Sequence, residues 1–221
     1  MHPSPRPHGW SVSPLADNGA GEPSHALWKS FAAPRLACSS AIVGGGLLEL
    51  HWVFNATVAT HYLHPDPVEH ALSIAKELQL TTDGACLLTA VDVELNARFA
   101  SEDGVAVMAT AGISSMGWAA LAPADGVVLP GTINIVVEVP EPMSPAALVN
   151  LVMTATEAKA QYFAEAGHSA TGTPTDAVVV VCPQGPVTMD GQYGGPRSRW
   201  GAVVARVVLA ALRARDREIG E

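Results

Sequence analysis

The sequence predicts an α+β fold, a layered mixed α/β sandwich in a single domain, preceded by a flexible proline-rich segment over residues 1–26. Three observations carry that expectation. Strand-like and helix-like patterns are mixed along the chain without strict β-α-β alternation. Hydrophobic residues make up 48% of the 221 and charged residues only 15%, the balance of a large covered interior or of one shared with a partner subunit, so a homo-oligomer is admissible. The head carries Pro3, Pro5, Pro7, Pro14 and Pro23 among Ser, Gly and Asn, and offers too little apolar surface to offset its ordering entropy. Residues 27–221 are then the folded domain, with no internal repeat.

Residues 35–42 end in small side chains and run into Gly44-Gly45-Gly46. Over 48–59 the pattern alternates as a strand does, with Leu48, Leu50, Trp52, Phe54 and Ala56 on one face. Residues 68–80 follow Pro67, which suits a first helical turn, and place Val68, Ala71, Leu72, Ala75 and Leu78 on one helical face. The short apolar runs 85–91 and 105–111 read as buried strands. The β-branched run 132–139 ends at Pro140 as a further strand. The clearest helix covers 144–166: Ser144 caps it, Pro145 takes its first position and Gly167 suits its C-terminal exit. A buried strand over 177–182 and a final helix over 198–217 complete the chain. Arg213, Arg215 and Arg217 crowd that helix's C-terminal end, where the dipole favours them.

The formal charge of −9, with 12 scattered basic residues, argues against a nucleic-acid partner, since phosphate binding needs clustered cations. No stretch reaches the roughly 20 uninterrupted apolar residues of a membrane span; the run over 202–212 is broken by Arg206. Cys38, Cys86 and Cys182 are odd in number and far apart, and no apolar leader opens the chain. A reducing cytoplasm is the expected location.

Several polar motifs stand out. They are Ser39-Ser40 with Gly44-Gly45-Gly46; Leu88-Thr89-Ala90-Val91-Asp92-Val93; Pro130-Gly131-Thr132-Ile133-Asn134-Ile135; and Thr154-Ala155-Thr156-Glu157-Ala158-Lys159. Ala170-Thr171-Gly172-Thr173-Pro174-Thr175-Asp176 and Gly194-Gly195-Pro196-Arg197-Ser198 follow. In this order and spacing, over residues 39–212, they resemble the CbiZ family of corrinoid-salvage enzymes. The resemblance implies hydrolysis of the amide that joins aminopropanol to the corrin ring of adenosylcobinamide, with adenosylcobyric acid as product. It implies a corrinoid substrate and no cofactor. Pro174 departs from the small residue expected there and fixes a φ angle in that loop.

Amide hydrolysis needs an activated nucleophile, stabilisation of an oxyanion and protonation of the departing amine. The hydroxyl-rich loop with Thr171, Thr173 and Asp176, ahead of a buried strand, is the first candidate: Asp176 orients a hydroxyl or a water, or these residues cap a turn. Glu157 lies beside the apolar face of the longest helix as a candidate general base raised by burial, or as a surface ion-pair partner. Spacing lets Thr154 meet Glu157 and Thr156 meet Lys159 on that helix, and Lys159 joins the candidate catalytic set. Thr132 and Asn134, after Gly131, share one strand face and suit amide or oxyanion binding, or a cross-strand pair. Gly44, Gly45 and Gly46 let backbone approach a corrin or make a turn; Asn96 suits propionamide groups or exposed-loop polarity; Arg197 suits an anionic group. His61, His64 and His70 with Asp66 sit in a proline-rich loop without metal-ligand spacing, so no metal site is expected. The alternative from another class is a non-catalytic corrinoid-binding or carrier protein, against which the absence of a DxHxxG pattern counts.

Overall fold

The computed structural model describes residues 4–120 and 131–219, with side chains over 6–120 and 131–214. Nine strands among these residues form one sheet: β1 (Ser4–Pro5), β2 (Ser11–Leu15), β3 (Ser24–Ser39), β4 (Gly46–Thr57), β5 (Gly84–Thr89), β6 (Arg98–Glu102), β7 (Val105–Ala111), β8 (Ile133–Glu138) and β9 (Ala177–Pro183). The helices are α1 (Pro67–Glu77), α2 (Val93–Asn96), α3 (Pro145–Glu165) and α4 (Arg199–Ile219). The strand order is β1-β2-β3-β9-β8-β7-β6, with β4 on β3 and β5 on β4. The long β3 joins two halves: it pairs with β4, with β2 near its start and with β9 near its end.

The sheet doubles back at β3, and its two halves pack face to face. Between them lie Leu27, Leu50, Val53 and Leu87 from one half against Met108, Val136, Val179 and Val181 from the other. The outer face of β7, β8 and β9 carries Val107, Ile135 and Val180 against Leu148 and Leu151 of α3 and Val204 and Val208 of α4. The outer face of β4 and β5 carries Trp52, Phe54 and Cys86 against Ala71 and Ile74 of α1. The result is four layers, helix–sheet–sheet–helix, in agreement with the expected layered α+β sandwich. Alternation explains it: successive residues of a strand face opposite sides, and both sides here are covered.

The structure changes three expectations. The apolar residues of β4 do not share one face. Ser30 pairs with Trp52 but Arg35 pairs with Leu50, so β3 spends extra residues against β4 and the pairing slips. Beyond that irregularity the faces exchange: Leu48 and Leu50 point between the sheet halves, while Trp52, Phe54 and Ala56 meet α1. In α1 the buried stripe is His70, Ala71, Ile74 and Ala75, and Val68 and Leu72 are exposed.

The proline-rich head is not the flexible extension expected over 1–26. β2 pairs with β3 through five residues, and Trp10, Val12 and Leu15 are buried. A few anchors suffice, because Trp10 and Val12 in the inter-sheet core and Leu15 on the α1 side each contribute about 1.5–3 kcal/mol. The composition average hides them.

The α3 helix follows its sequence signals. The Ser144 hydroxyl accepts from Ala147 N at 3.1 Å, Pro145 opens the helix, and Gly167 leaves it at φ +74°. In α4, Arg213 pairs with Glu165, and the side chains of Arg215 and Arg217 lie outside the described residues.

Candidate active site

The β8 and β9 strands run parallel, so the chain must cross between them, and α3 makes that crossing antiparallel to both. Its later turns therefore return to the level where β8 and β9 begin. There Lys159, 6% exposed, reaches Asp176 on the loop just before β9. One oxygen of Asp176 accepts from Lys159 Nζ and from Thr173 N at 3.0 Å. The other accepts from Ile133 N at 2.9 Å and from the Thr173 hydroxyl. Three N–H donors are thus held on the carboxylate, and the single Thr173 proton goes either to it or to Gly131 O. Held by Lys159 and two backbone N–H groups, Asp176 is placed to orient its loop and the start of β8. Gly172 passes directly over the pair: a Cβ there would lie 2.5 Å from Asp176 Oδ2 and 2.7 Å from Lys159 Nζ.

Beside this pair, between the two sheet halves, is a cavity of about 280 Å³. Its lining includes Thr132, Asn134 and Thr175 at the starts of β8 and β9, Leu88 and Thr89 at the end of β5, and Tyr62. The Thr132 and Thr175 hydroxyls are 2.6 Å apart, and Thr175 Oγ1 is 3.1 Å from Gly131 O. Each hydroxyl has one proton, and Thr175 gives its own either to Gly131 O or to Thr132. When Thr175 donates to Thr132, the Thr132 proton is free to point at a bound oxygen. Asn134 is fixed by donating to Asn55 Oδ1 at 2.8 Å and Leu88 O at 3.0 Å, and Asn55 donates to Thr110 Oγ1 at 2.9 Å. That buried chain ties β4 and β5 to β7 and β8, and so sets the width of the cavity.

The remaining sequence candidates fall in different places. Thr171 and Thr173 share the Asp176 loop: Thr171 Oγ1 accepts from Ala119 N at 3.1 Å, and Thr173 Oγ1 lies 2.6 Å from Gly131 O. Pro174 is exposed on that loop. Glu157 is exposed on α3, two residues and so about half a turn from Lys159, and not buried as expected of a general base there. The pairs proposed on α3 do not form: Thr154 donates to Gly194 O at 2.8 Å and Thr156 to Val152 O at 2.9 Å. Gly44, Gly45 and Gly46 make the β3–β4 turn, and Gly44, at φ +73°, packs on the Gly84 carbonyl. Asn96 ends α2 in a neighbouring depression of about 500 Å³, which meets the cavity at Ala90. Arg197 lines a recess of about 610 Å³ with Asn150 and Tyr193, near the start of α3 and hence at the opposite end of the sheet. Pro130 lies outside the described residues.

A match to the family model described as adenosylcobinamide amidohydrolase covers residues 15–217. The chain belongs to the adenosylcobinamide amidohydrolase family. The match starts at Leu15, inside the head that composition had set apart. Among relatives of this family, the adenosylcobinamide amidohydrolase of Methanosarcina mazei is 29% identical over 179 residues, 78% of this chain and 86% of that protein. That of Halobacterium salinarum is 41% identical over 140 residues, 60% of this chain and 58% of that protein. Solved structures of similar shape include a beta-aminopeptidase from Burkholderia sp., with a TM-score of 0.47 at 11% identity over 85% of this chain and 76% of that one. Another is the L-aminopeptidase D-Ala-esterase/amidase of Ochrobactrum anthropi, with a TM-score of 0.40 at 14% identity over 92% of this chain and 82% of that one.

Family motifs in the sequence contain Thr132, Asn134 and Thr175 but not Tyr62 or Asn55, which meet them in space. Thr175 stands within its motif but was not singled out as a site residue. Asn55 was concealed by the apolar strand around it. The cysteines stay outside the site: burial raises all three thiols, Cys86 to about 12, which disfavours a thiolate nucleophile. His64 and His70 stack on each other at 5.0 Å, and among the described residues no group of three or more His, Cys, Asp or Glu is placed to hold a metal ion.

Proposed function

We propose that this protein hydrolyses the amide linking aminopropanol to the corrin ring of adenosylcobinamide, releasing the amino alcohol and adenosylcobyric acid. Water supplies the hydroxyl of the new carboxyl group and a proton for the departing amine. The observation that carries the reading is membership of the amidohydrolase family over residues 15–217. The site agrees with it in scale, since a cavity of about 280 Å³ admits an amide arm and excludes the macrocycle, which rests outside its mouth.

In this reading Thr132 donates to the amide oxygen as it becomes an oxyanion, with Thr175 relaying the hydrogen bond. Lys159 and Asp176 act as positioning groups that hold Thr173 and the start of β8 in place. The attacking group in this reading is water, and a threonine acyl-enzyme is the alternative that the burst measurement below distinguishes. Three free cysteines fit a reducing compartment, and we place the activity in the cytoplasm. Among the described residues no helix is long and apolar enough to cross a membrane.

The test is incubation of purified protein with adenosylcobinamide, followed by mass spectrometry. Stoichiometric aminopropanol and adenosylcobyric acid support the reading. A corrinoid that is held tightly and recovered intact identifies a carrier, and turnover confined to other amides identifies a different amidase. A burst of amine at the enzyme's concentration would move the attack from water to a threonine acyl-enzyme.

A further inference from the structure

Tyr62 is the one aromatic side chain lining the cavity between the sheet halves. Its hydroxyl lies 2.8 Å from Nδ1 of His70, which is 6% exposed in the first turn of α1. Burial, and then the neighbouring His64, hold His70 below its ordinary pKa, so the ring is neutral at neutral pH. Asp17 faces the same ring, through its charge and its backbone, and partly offsets that shift. His70 Nε2 has no hydrogen-bond partner among the described residues, so the contact with Tyr62 is the one that holds the ring, and the tautomer sets which of Nδ1 and the phenol donates. Burial and then Asp66 push Tyr62 up to about 12. At neutral pH the phenol therefore keeps its proton and remains a neutral hydroxyl fixed at the cavity wall.

The ring is backed from the far side by the N-terminal segment. Gly19, at φ +85°, packs so closely that a Cβ there would lie 2.6 Å from Tyr62 Cε2 and 3.1 Å from His70 Cε1. Asp17 closes that turn by accepting from Gly19 N at 2.8 Å and Gly21 N at 2.7 Å. Tyr62 also stacks on His70, with ring centroids 5.5 Å apart. A hydrogen bond, a ring stack and a glycine turn thus fix one side chain at the cavity wall.

We propose that Tyr62 is a substrate-positioning residue: its phenol oxygen, anchored on His70 Nδ1, makes its remaining hydrogen bond to the scissile amide, and the Gly19 turn of the head holds the ring there. The inference rests on the amidohydrolase reading and adds to it both a polar group and a task for the N-terminal segment.

The test is Tyr62→Phe in the full chain, which keeps every ring carbon and removes one oxygen. With adenosylcobinamide as substrate, kcat falls about ten- to a hundredfold, as expected for lost alignment of a reacting group, while KM stays near the wild-type value because the macrocycle binds outside the cavity. The variant stays folded, with a melting temperature lowered by a few degrees because His70 Nδ1 loses its partner. Gly19→Ala, which pushes on the same ring, lowers kcat in the same sense. Full turnover by Tyr62→Phe overturns the proposal, and a loss confined to KM overturns the positioning role. Full turnover by Gly19→Ala overturns the part given to the head. Wild-type protein that releases no aminopropanol overturns the amidohydrolase reading itself, a separate outcome because it is read before any variant is compared.

Discussion

Lys159 on α3 places its ammonium against the carboxylate of Asp176, and the two side chains are only 8% and 11% exposed. The pair joins the helical layer to the loop that precedes β9, and through Ile133 N it reaches the start of β8. Breaking a buried pair leaves one charge without a partner. Lys159→Met should therefore cost about 3–5 kcal/mol in denaturant unfolding, with a second change, Asp176→Asn, restoring part of the loss by removing the stranded charge while keeping an acceptor for backbone N–H. A cost below about 1 kcal/mol, the range of exposed pairs, would show that the pair does not hold the loop.

Thr132→Val removes the proposed oxyanion donor while keeping the side chain's shape. Loss of one such donor lowers kcat by about 10²–10³ in other amide-cleaving sites. The same drop is expected here, measured as aminopropanol release under saturating substrate. An unchanged kcat would assign the Thr132–Thr175 hydrogen bond to the fold alone.

Glu157→Gln separates the buried face of α3 from its exposed one. Glu157 is exposed, whereas Lys159 is buried on the other side of the helix. Turnover should stay within about twofold of wild type, since exposed substitutions away from a site rarely exceed about 0.5 kcal/mol. A loss of several orders of magnitude would restore Glu157 as a general base and require the helix to present that face to substrate.

Trp10→Ala tests the folded head. Trp10 is 2% exposed and shares the inter-sheet core with Val12 and Leu27. Truncating a buried tryptophan costs about 3–5 kcal/mol, readable as a shift of the denaturation midpoint at constant slope. A shift near zero would mean that the first strands detach without cost to the core.

Acid should weaken the fold through His70. Its folded pKa lies below the ordinary value of 6.5, so the unfolded chain takes up its proton first as pH falls. Stability is complete above about 6.5 and is lost as pH drops through the folded value. The groups facing the ring are His64, whose charge lowers it further, Asp17, which opposes the shift, and Tyr62, which stays protonated. A His70→Gln variant should show a flatter stability profile over that interval. Equal profiles would remove His70 as the source.

Local signals were readable wherever a few neighbouring residues decide the conformation. The Ser144-Pro145 start and Gly167 exit of α3 are such a case, and so is the apolar run of β9. The faces of β4 were misread because the slip between Ser30 and Arg35 lies on its partner strand, where no pattern within β4 can record it. The head was misread because composition averages over Trp10, Val12 and Leu15, whose burial depends on pockets built by distant strands.

By itself, then, the sequence determined the fold class, the capped helices, the buried strands and, through its ordered motifs, the family, because each is written in short-range chemistry or spacing. Only the tertiary structure decided which polar residues meet. Asn55 joins Asn134, Thr175 joins Thr132, and Tyr62 joins His70 under Gly19. Such meetings depend on how a doubled sheet brings strand ends together across its interior, and spacing along the chain carries no record of that distance.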